Sequence, residues 1–166
     1  MKRLLSLTAV AVALAASSAQ AQQVSVKIGV MSDMSSLYAD IGGPGSTAAA
    51  KLAIADFAKS NPNVKVELVS ADHQNKADVG SGVVNKWYDT ENVDLVIDVP
   101  NSGVALAVSQ IAATKNKVFI VSGAAASDLT GPKCNATRYI GPTTPGCSPT
   151  APARRWLRQV ATAGSF

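Results

Sequence analysis

"VDLVIDVPNSGVALAVSQIAATKNKVFIVSG", residues 93–123, decides the fold. Val93 to Val99, "VDLVIDV", reads as a strand. Pro100-Asn101-Ser102 then turns the chain into a helical segment. There Val104, Val108 and Ile111 form one stripe, with Leu106, Ser109, Gln110 and Ala113 opposite it. Lys117 to Gly123 is a further strand. The segment is therefore strand, helix, strand, and a strand joined to the next through a helix belongs to a parallel sheet.

The same alternation runs upstream. Val26 to Met31, "VKIGVM", reads as the first strand, and a Ser-, Asp- and Gly-rich loop follows it, ending "IGGPGS". A helix is predicted from Ser46, with Ser46 or Thr47 as its cap and Ala49, Leu52, Ala53 and Phe57 at helical spacing. Asn61-Pro62 ends it. Val64 to Ser70 is the second strand. "NKADVGSGVVNKWYDTEN" is the second helix, although Gly80 and Gly82 each cost it about 1 kcal/mol relative to alanine. The order β-α-β-α-β-α-β predicts an α/β fold, an open parallel sheet with helices on both faces. In such sheets the ligand crevice lies outside the carboxyl ends of the strands. That directs attention to Ser32–Gly45, Ala71–Asn75, Pro100–Gly103 and Ala124–Gly131.

Lys2 and Arg3, the apolar run Leu4 to Ala16 and the small-residue pattern Ala19-Gln20-Ala21 have the layout of a cleavable secretory signal. The expectation is cleavage after Ala21 and a periplasmic, exported mature chain; the apolar run is short for a membrane span. The net charge of +4 is not patterned. Lys2, Arg3, Arg154, Arg155 and Arg158 lie in the signal or the tail. Setting those five of the fifteen basic residues aside leaves ten against eleven acidic ones, so nucleic acid has little to hold. The two cysteines, Cys134 and Cys147, can pair in an oxidising compartment.

Several chemistries are excluded by spacing. Gly42, Gly43 and Gly45 stand more than ten residues beyond the first strand, too far for a dinucleotide fingerprint, and no Gly-Lys-Ser/Thr occurs. His73, the single histidine, has no convergent ligands for a metal and reads as a solvated loop residue. "GSGVV" and "VSGAA" miss the nucleophile-elbow pattern. Asp33, Asp40, Asp72, Asp78 and Asp98 form no carboxylate pair on one element and read as solvated or capping residues. The expectation is a non-enzyme without cofactor or metal. What the loops offer is Asn101-Ser102 at a helix start and "GAAAS", Gly123 to Ser127. Free helix N–H groups beside a hydroxyl suit a carboxylate or other small polar ligand, although Ser102 as a plain N-cap is the simpler local reading.

The combination "VKIGVMSDMSSLYADIGGPGSTAAAKLAIADF", "KVELVSADHQNKADVGSGVVNKWYDTENVDLVIDVPNSGVALAVSQIA" and "KVFIVSGAAASDLTG" resembles the substrate-binding proteins of ABC importers for branched-chain amino acids and related amides, which are type I periplasmic binding proteins. The resemblance spans about residues 24–140, the N-terminal lobe. It implies a two-lobed protein that captures a small polar solute and passes it to a membrane permease. The ligand-binding residues it implies are Asn101 and Ser102 in one loop and a backbone carbonyl near Ala124 or Ala125 in the other. Ser127 stands beside Ala126, which occupies the place of the family's second hydroxyl. Tyr38 lines the cleft from the first loop. An exported single-lobe sensor or interaction domain is the alternative.

Residues 141–166, "GPTTPGCSPTAPARRWLRQVATAGSF", depart from that pattern. Back-translated and read one base earlier, Gly141 to Ser165 can encode WTYDTWMLANGTGKAVASAGGDSWF, which resembles the family's continuation into its second lobe. The expected organisation is a signal peptide over 1–21, a partial N-terminal lobe over 22–140, and an out-of-frame, disordered tail over 141–166, with the second lobe missing.

Overall fold

The computed structural model describes residues 23–140 other than residue 136. The signal segment, the tail and Cys147 lie outside the described residues. Five strands, β1 (Val24–Ser32), β2 (Val64–Asp72), β3 (Leu95–Asp98), β4 (Val118–Val121) and β5 (Arg138–Ile140), form one sheet in the order β2-β1-β3-β4-β5. All four pairings are parallel. The helices are α1 (Gly43–Ser60), α2 (Ala77–Asp89), α3 (Ser102–Thr114) and the single turn α4 (Ser127–Thr130). The expected α/β alternation is present, and β5 extends it by one short strand that the sequence reading did not mark. No helix among the described residues is long and apolar enough to cross a membrane.

The crossovers explain where the helices sit. β1 to β2 steps one way along the sheet, whereas β2 to β3 and β3 to β4 step the other way. Right-handed connections therefore place α1 on one face and α2 and α3 on the opposite one. The α2/α3 face holds the main core: Met31, Val96, Phe119 and Val121 from the strands pack against Val84, Trp87, Val104, Ala105, Val108 and Ala112. Glycines allow this closeness. A β-carbon at Gly29 would lie 2.5 Å from the Trp87 ring, and one at Gly80 would lie 2.7 Å from Val104 Cγ1. Gly80 thus costs helix propensity but admits α3, while Gly82 faces open space.

Two expectations about the helices are corrected. α1 starts three residues before Ser46, with Gly42 at the N-cap position, no side-chain cap and Pro44 in its first turn, where proline's missing N–H costs nothing. Ser109 does not face outward on α3. It is buried, because the loop before β5 reaches over it: Asn135 Nδ2 donates to the Ser109 hydroxyl (2.7 Å) and carbonyl (3.2 Å), and Arg138 donates to the same hydroxyl at 2.7 Å.

Candidate functional site

The strand order reverses direction at β1, so the switch point lies between the carboxyl ends of β1 and β3, where an open α/β sheet forms its crevice. α3 begins there. Asn101, not Ser102, is its N-cap: its Oδ1 accepts from the Val104 amide at 2.9 Å. Ser102 is the first helical residue. The first intrahelical bond joins the Ala105 amide to the Asn101 carbonyl, so the amides of Ser102 and Gly103 have no acceptor within the helix. The Ser102 hydroxyl accepts from the Ala126 amide at 3.2 Å, which leaves its own proton for a ligand. The two loops singled out by sequence, 101–102 and 124–127, are thereby brought together. Ala124 is buried, Ala125 and Ser127 are exposed, and Ser127 opens α4. Tyr38 is half-exposed in the β1–α1 loop, with its amide bonded to Asp33 Oδ2 at 2.9 Å. The loop also exposes Leu37 and Ile41.

Sequence reasoning missed how the rim is stitched. Asp33 is fully buried and folds its own loop, accepting from the Ser36 amide (3.0 Å), the Ser36 hydroxyl (2.6 Å) and the Tyr38 amide. Burial pushes its carboxyl up, but the hydrogen bonds from Ser36, Tyr38 and Ser35 outweigh that and hold it below its ordinary value. Asp72 joins the β2 loop to the β1 loop by accepting from the Met34 amide (3.0 Å) and the Ser35 hydroxyl (2.5 Å). Its carboxyl is also held low: burial opposes, and the bonds from Ser35, Met34 and Gln74 prevail. Asn75 accepts from Asn101 Nδ2, tying the β2 loop to α3. The Ser122 hydroxyl donates to Asp98 Oδ1, tying β4 to β3.

The reading of His73 as a solvated loop residue is wrong. It is fully buried, its Nδ1 accepts from the Asn75 amide at 3.0 Å, and its Nε2 has no partner. Burial pulls its pKa down, against the carboxylates of Asp33, Asp72 and Asp98, so the ring is held toward its neutral form. Asp98 is not solvated either. Its Oδ2 is buried and unpartnered, and a β-carbon at Gly42 would sit 3.1 Å from Ser32 Oγ, 3.2 Å from Ser46 Oγ and 3.4 Å from Asp98 Oδ2. These oxygens converge on the start of α1, whose first turn carries no acidic residue. Asp98 and Val99 both take positive φ (84° and 57°), a conformation uncommon for any non-glycine residue and an outlier for valine. The signal for these residues lay in their positions: Asp33, Asp72 and Asp98 each stand at the last position of a strand or the next one.

Among the described residues no group of three or more His, Cys, Asp or Glu side chains is placed to hold a metal. The arrangement is a floor of bonded loops around the N-terminus of α3, suited to hold a small polar group by amides and a hydroxyl.

The family model described as periplasmic binding protein matches residues 25–165. The chain belongs to the periplasmic binding protein family. Among solved structures, a periplasmic binding protein from Burkholderia mallei is 45% identical with a TM-score of 0.65, over 69% of this chain and 30% of that one. A branched-chain amino acid ABC transporter periplasmic ligand-binding protein from Burkholderia xenovorans is 44% identical with a TM-score of 0.64, over 68% and 30%. A solute-binding protein of an ABC transporter from R. palustris, solved with benzoate, shares the fold at 23% identity and a TM-score of 0.63, over 70% and 32%. No curated protein matches the chain. The chain spans under a third of the length of these solved relatives. Members of the family are the solute-binding components of transporters rather than enzymes, which agrees with the lack of catalytic motifs.

Proposed function

We propose that this periplasmic binding protein chain is the N-terminal ligand-binding lobe of an ABC-importer component for amino acids or related small carboxylate-bearing solutes. It is exported through a cleavable signal at 1–21 and works with a membrane permease once a second lobe is present. The observation that carries the reading is the start of α3 at the switch point, with two amides free of intrahelical partners and the Ser102 hydroxyl held by Ala126. Asn101, Ala124, Ala125, Ser127 and Tyr38 complete the candidate surface. That one relative is described as a branched-chain amino acid ligand-binding protein and another was solved with benzoate supports a carboxylate as the common feature.

A ligand pocket buries about 70–90% of its ligand, and a single lobe offers one wall of it. We therefore expect impaired binding from this chain. We propose that residues 141–166 are read out of frame, after a one-base change near the codons of Tyr139 and Ile140. Sequencing the gene tests the frame: nucleotides beyond the Ile140 codon that encode no second lobe in the neighbouring frame refute it. Isothermal titration against a panel of amino acids, amides and benzoate tests the function. Weak, saturable binding lost in Ser102→Ala is expected. Submicromolar affinity refutes the impaired-lobe reading, and binding unaffected by Ser102→Ala refutes the site.

A further inference from the structure

We propose that His73 is a positioning residue for the candidate site, a pH-sensitive latch that holds the start of α3 through Asn75 and Asn101. Three hydrogen bonds make the connection. The Asn75 amide donates to His73 Nδ1 at 3.0 Å, Asn75 Oδ1 accepts from Asn101 Nδ2, and Asn101 Oδ1 accepts from the Val104 amide at 2.9 Å. Each bond fixes the next. The Asn101 side chain ends in one oxygen and one nitrogen; Asn75 takes the nitrogen, so the oxygen is left facing the helix. In that orientation it caps the turn that carries the Ser102 and Gly103 amides. The latch therefore acts on the groups proposed to hold the ligand, and its bearing on binding rests on that reading.

The ring can accept this bond in one protonation state only. An accepting Nδ1 carries no proton, so the neutral ring bears its hydrogen on Nε2. A second proton would have to sit on Nδ1, 3.0 Å from a backbone N–H, and two donors cannot share that contact. The ring is fully buried and Nε2 has no partner, so nothing replaces the lost bond. The turn it holds depends on such bonds. Gln74 and Asn75 both take positive φ (51° and 56°), uncommon for successive non-glycine residues, and their amides are held by Asp72 Oδ1 and His73 Nδ1. Losing the Nδ1 acceptor releases Asn75, and with it the hold on Asn101.

The charges that face the ring come from three strand ends: Asp33 after β1, Asp72 closing β2 and Asp98 closing β3. Gly80, which approaches the His73 β-carbon from α2, carries none, and Lys76 and Asp78 at the start of α2 are exposed. The pull of the three carboxylates on a proton is outweighed by burial, which holds the closed ring neutral. An opened ring takes its proton near the ordinary value of about 6.5. Opening is thus favoured as pH falls, and between pH 7.5 and 5.5 the opened fraction should rise about tenfold.

Amide hydrogen exchange on the isotope-labelled full chain, without ligand, tests this at pH 7.5 and 5.5, with each rate referred to the intrinsic rate at that pH. Val104 should be less protected than Val96 in the sheet core, which reports global opening, and its protection should fall about tenfold at the lower pH. His73→Asn offers an oxygen in place of Nδ1 and takes no proton, so Val104 protection should be equal at the two pH values. Asn75→Gly keeps the backbone amide, the ring and the left-handed turn but cuts the link; Val104 protection should be low and flat. If circular dichroism shows His73→Asn unfolded, Asn75→Gly decides. Val104 protection that ignores pH in the unaltered chain overturns the latch, as does a fall that persists in Asn75→Gly. Protection of Val104 equal to that of Val96 also overturns it, since the helix start then opens only with the whole domain. A pH-dependent Val104 in a chain whose ligand titration fails would leave the latch and remove the site.

Discussion

Gly80 and Gly82 lie two residues apart in α2 and should respond oppositely to the same substitution. In a helix interior, alanine is better than glycine by about 1 kcal/mol. At Gly82, which is exposed with no atom within 4 Å of an added β-carbon, that gain stands alone, so Gly82→Ala should stabilise by about 1 kcal/mol. At Gly80 the new carbon would lie 2.7 Å from Val104 Cγ1 and 3.4 Å from His73 Cβ. Val104 is 1% exposed and β-branched, so its rotamer cannot swing away and α3 must move instead. Overpacking of this kind costs about 1–3 kcal/mol, which cancels or exceeds the propensity gain and leaves Gly80→Ala destabilised by up to about 2 kcal/mol. Urea unfolding followed by circular dichroism reads both. Thermal midpoints should separate by several degrees, since 1 kcal/mol is worth about 4 °C in a domain of this size. Val104 is two residues from Ser102, so Gly80→Ala should also disturb the start of α3. Equal stabilisation by the two substitutions would refute the claim that Gly80 sets the α2–α3 distance.

Asn101→Ala removes the α3 cap and the bond to Asn75 and should cost about 1 kcal/mol in urea unfolding, against a few tenths for an exposed site. His73, Asp33 and Asp72 all have pKa values below their unfolded values, so each contributes stability that is present above its unfolded pKa and is lost as pH falls. For His73 the loss starts as pH drops below about 6.5, where the unfolded ring takes a proton and the buried one resists, and His73→Gln should flatten the stability profile there. The aspartates act only below about pH 4, and Asp72→Asn should shallow that limb. Arg138→Met removes the donor to the Ser109 hydroxyl and to the carbonyls of Leu129 and Lys133, and should cost about 1–3 kcal/mol in urea unfolding.

The α/β alternation was legible because its strands are dense in Val and Ile and its first helix is closed by Asn61-Pro62, signals that act locally. Asn101, Ser102 and the 124–127 loop were legible for a related reason: a turn directly after a strand is where this architecture binds. The buried rim was not. Asp33, Asp72, His73 and Asp98 look like loop polar residues in one dimension, and only the sheet order brings Met34 and Ser35 onto Asp72 and Ser122 onto Asp98. β5 was hidden for another reason, since three residues containing arginine carry no strand period. The partial exposure of Val118 and Ile120 was equally hidden, because an unbroken apolar run such as "VFIV" does not show which of its two faces is covered.

Each candidate loop is fastened to another: Ser102 to Ala126, Asn101 to Asn75, Asp72 to the 34–35 turn, Asp98 to Ser122. The crevice floor should thus be preformed rather than folded by the ligand. That distinction has a thermodynamic consequence, because a preformed floor loses little ordering entropy on contact with a ligand, whereas a floor that folds on binding would lose about 1–2 kcal/mol per residue fixed.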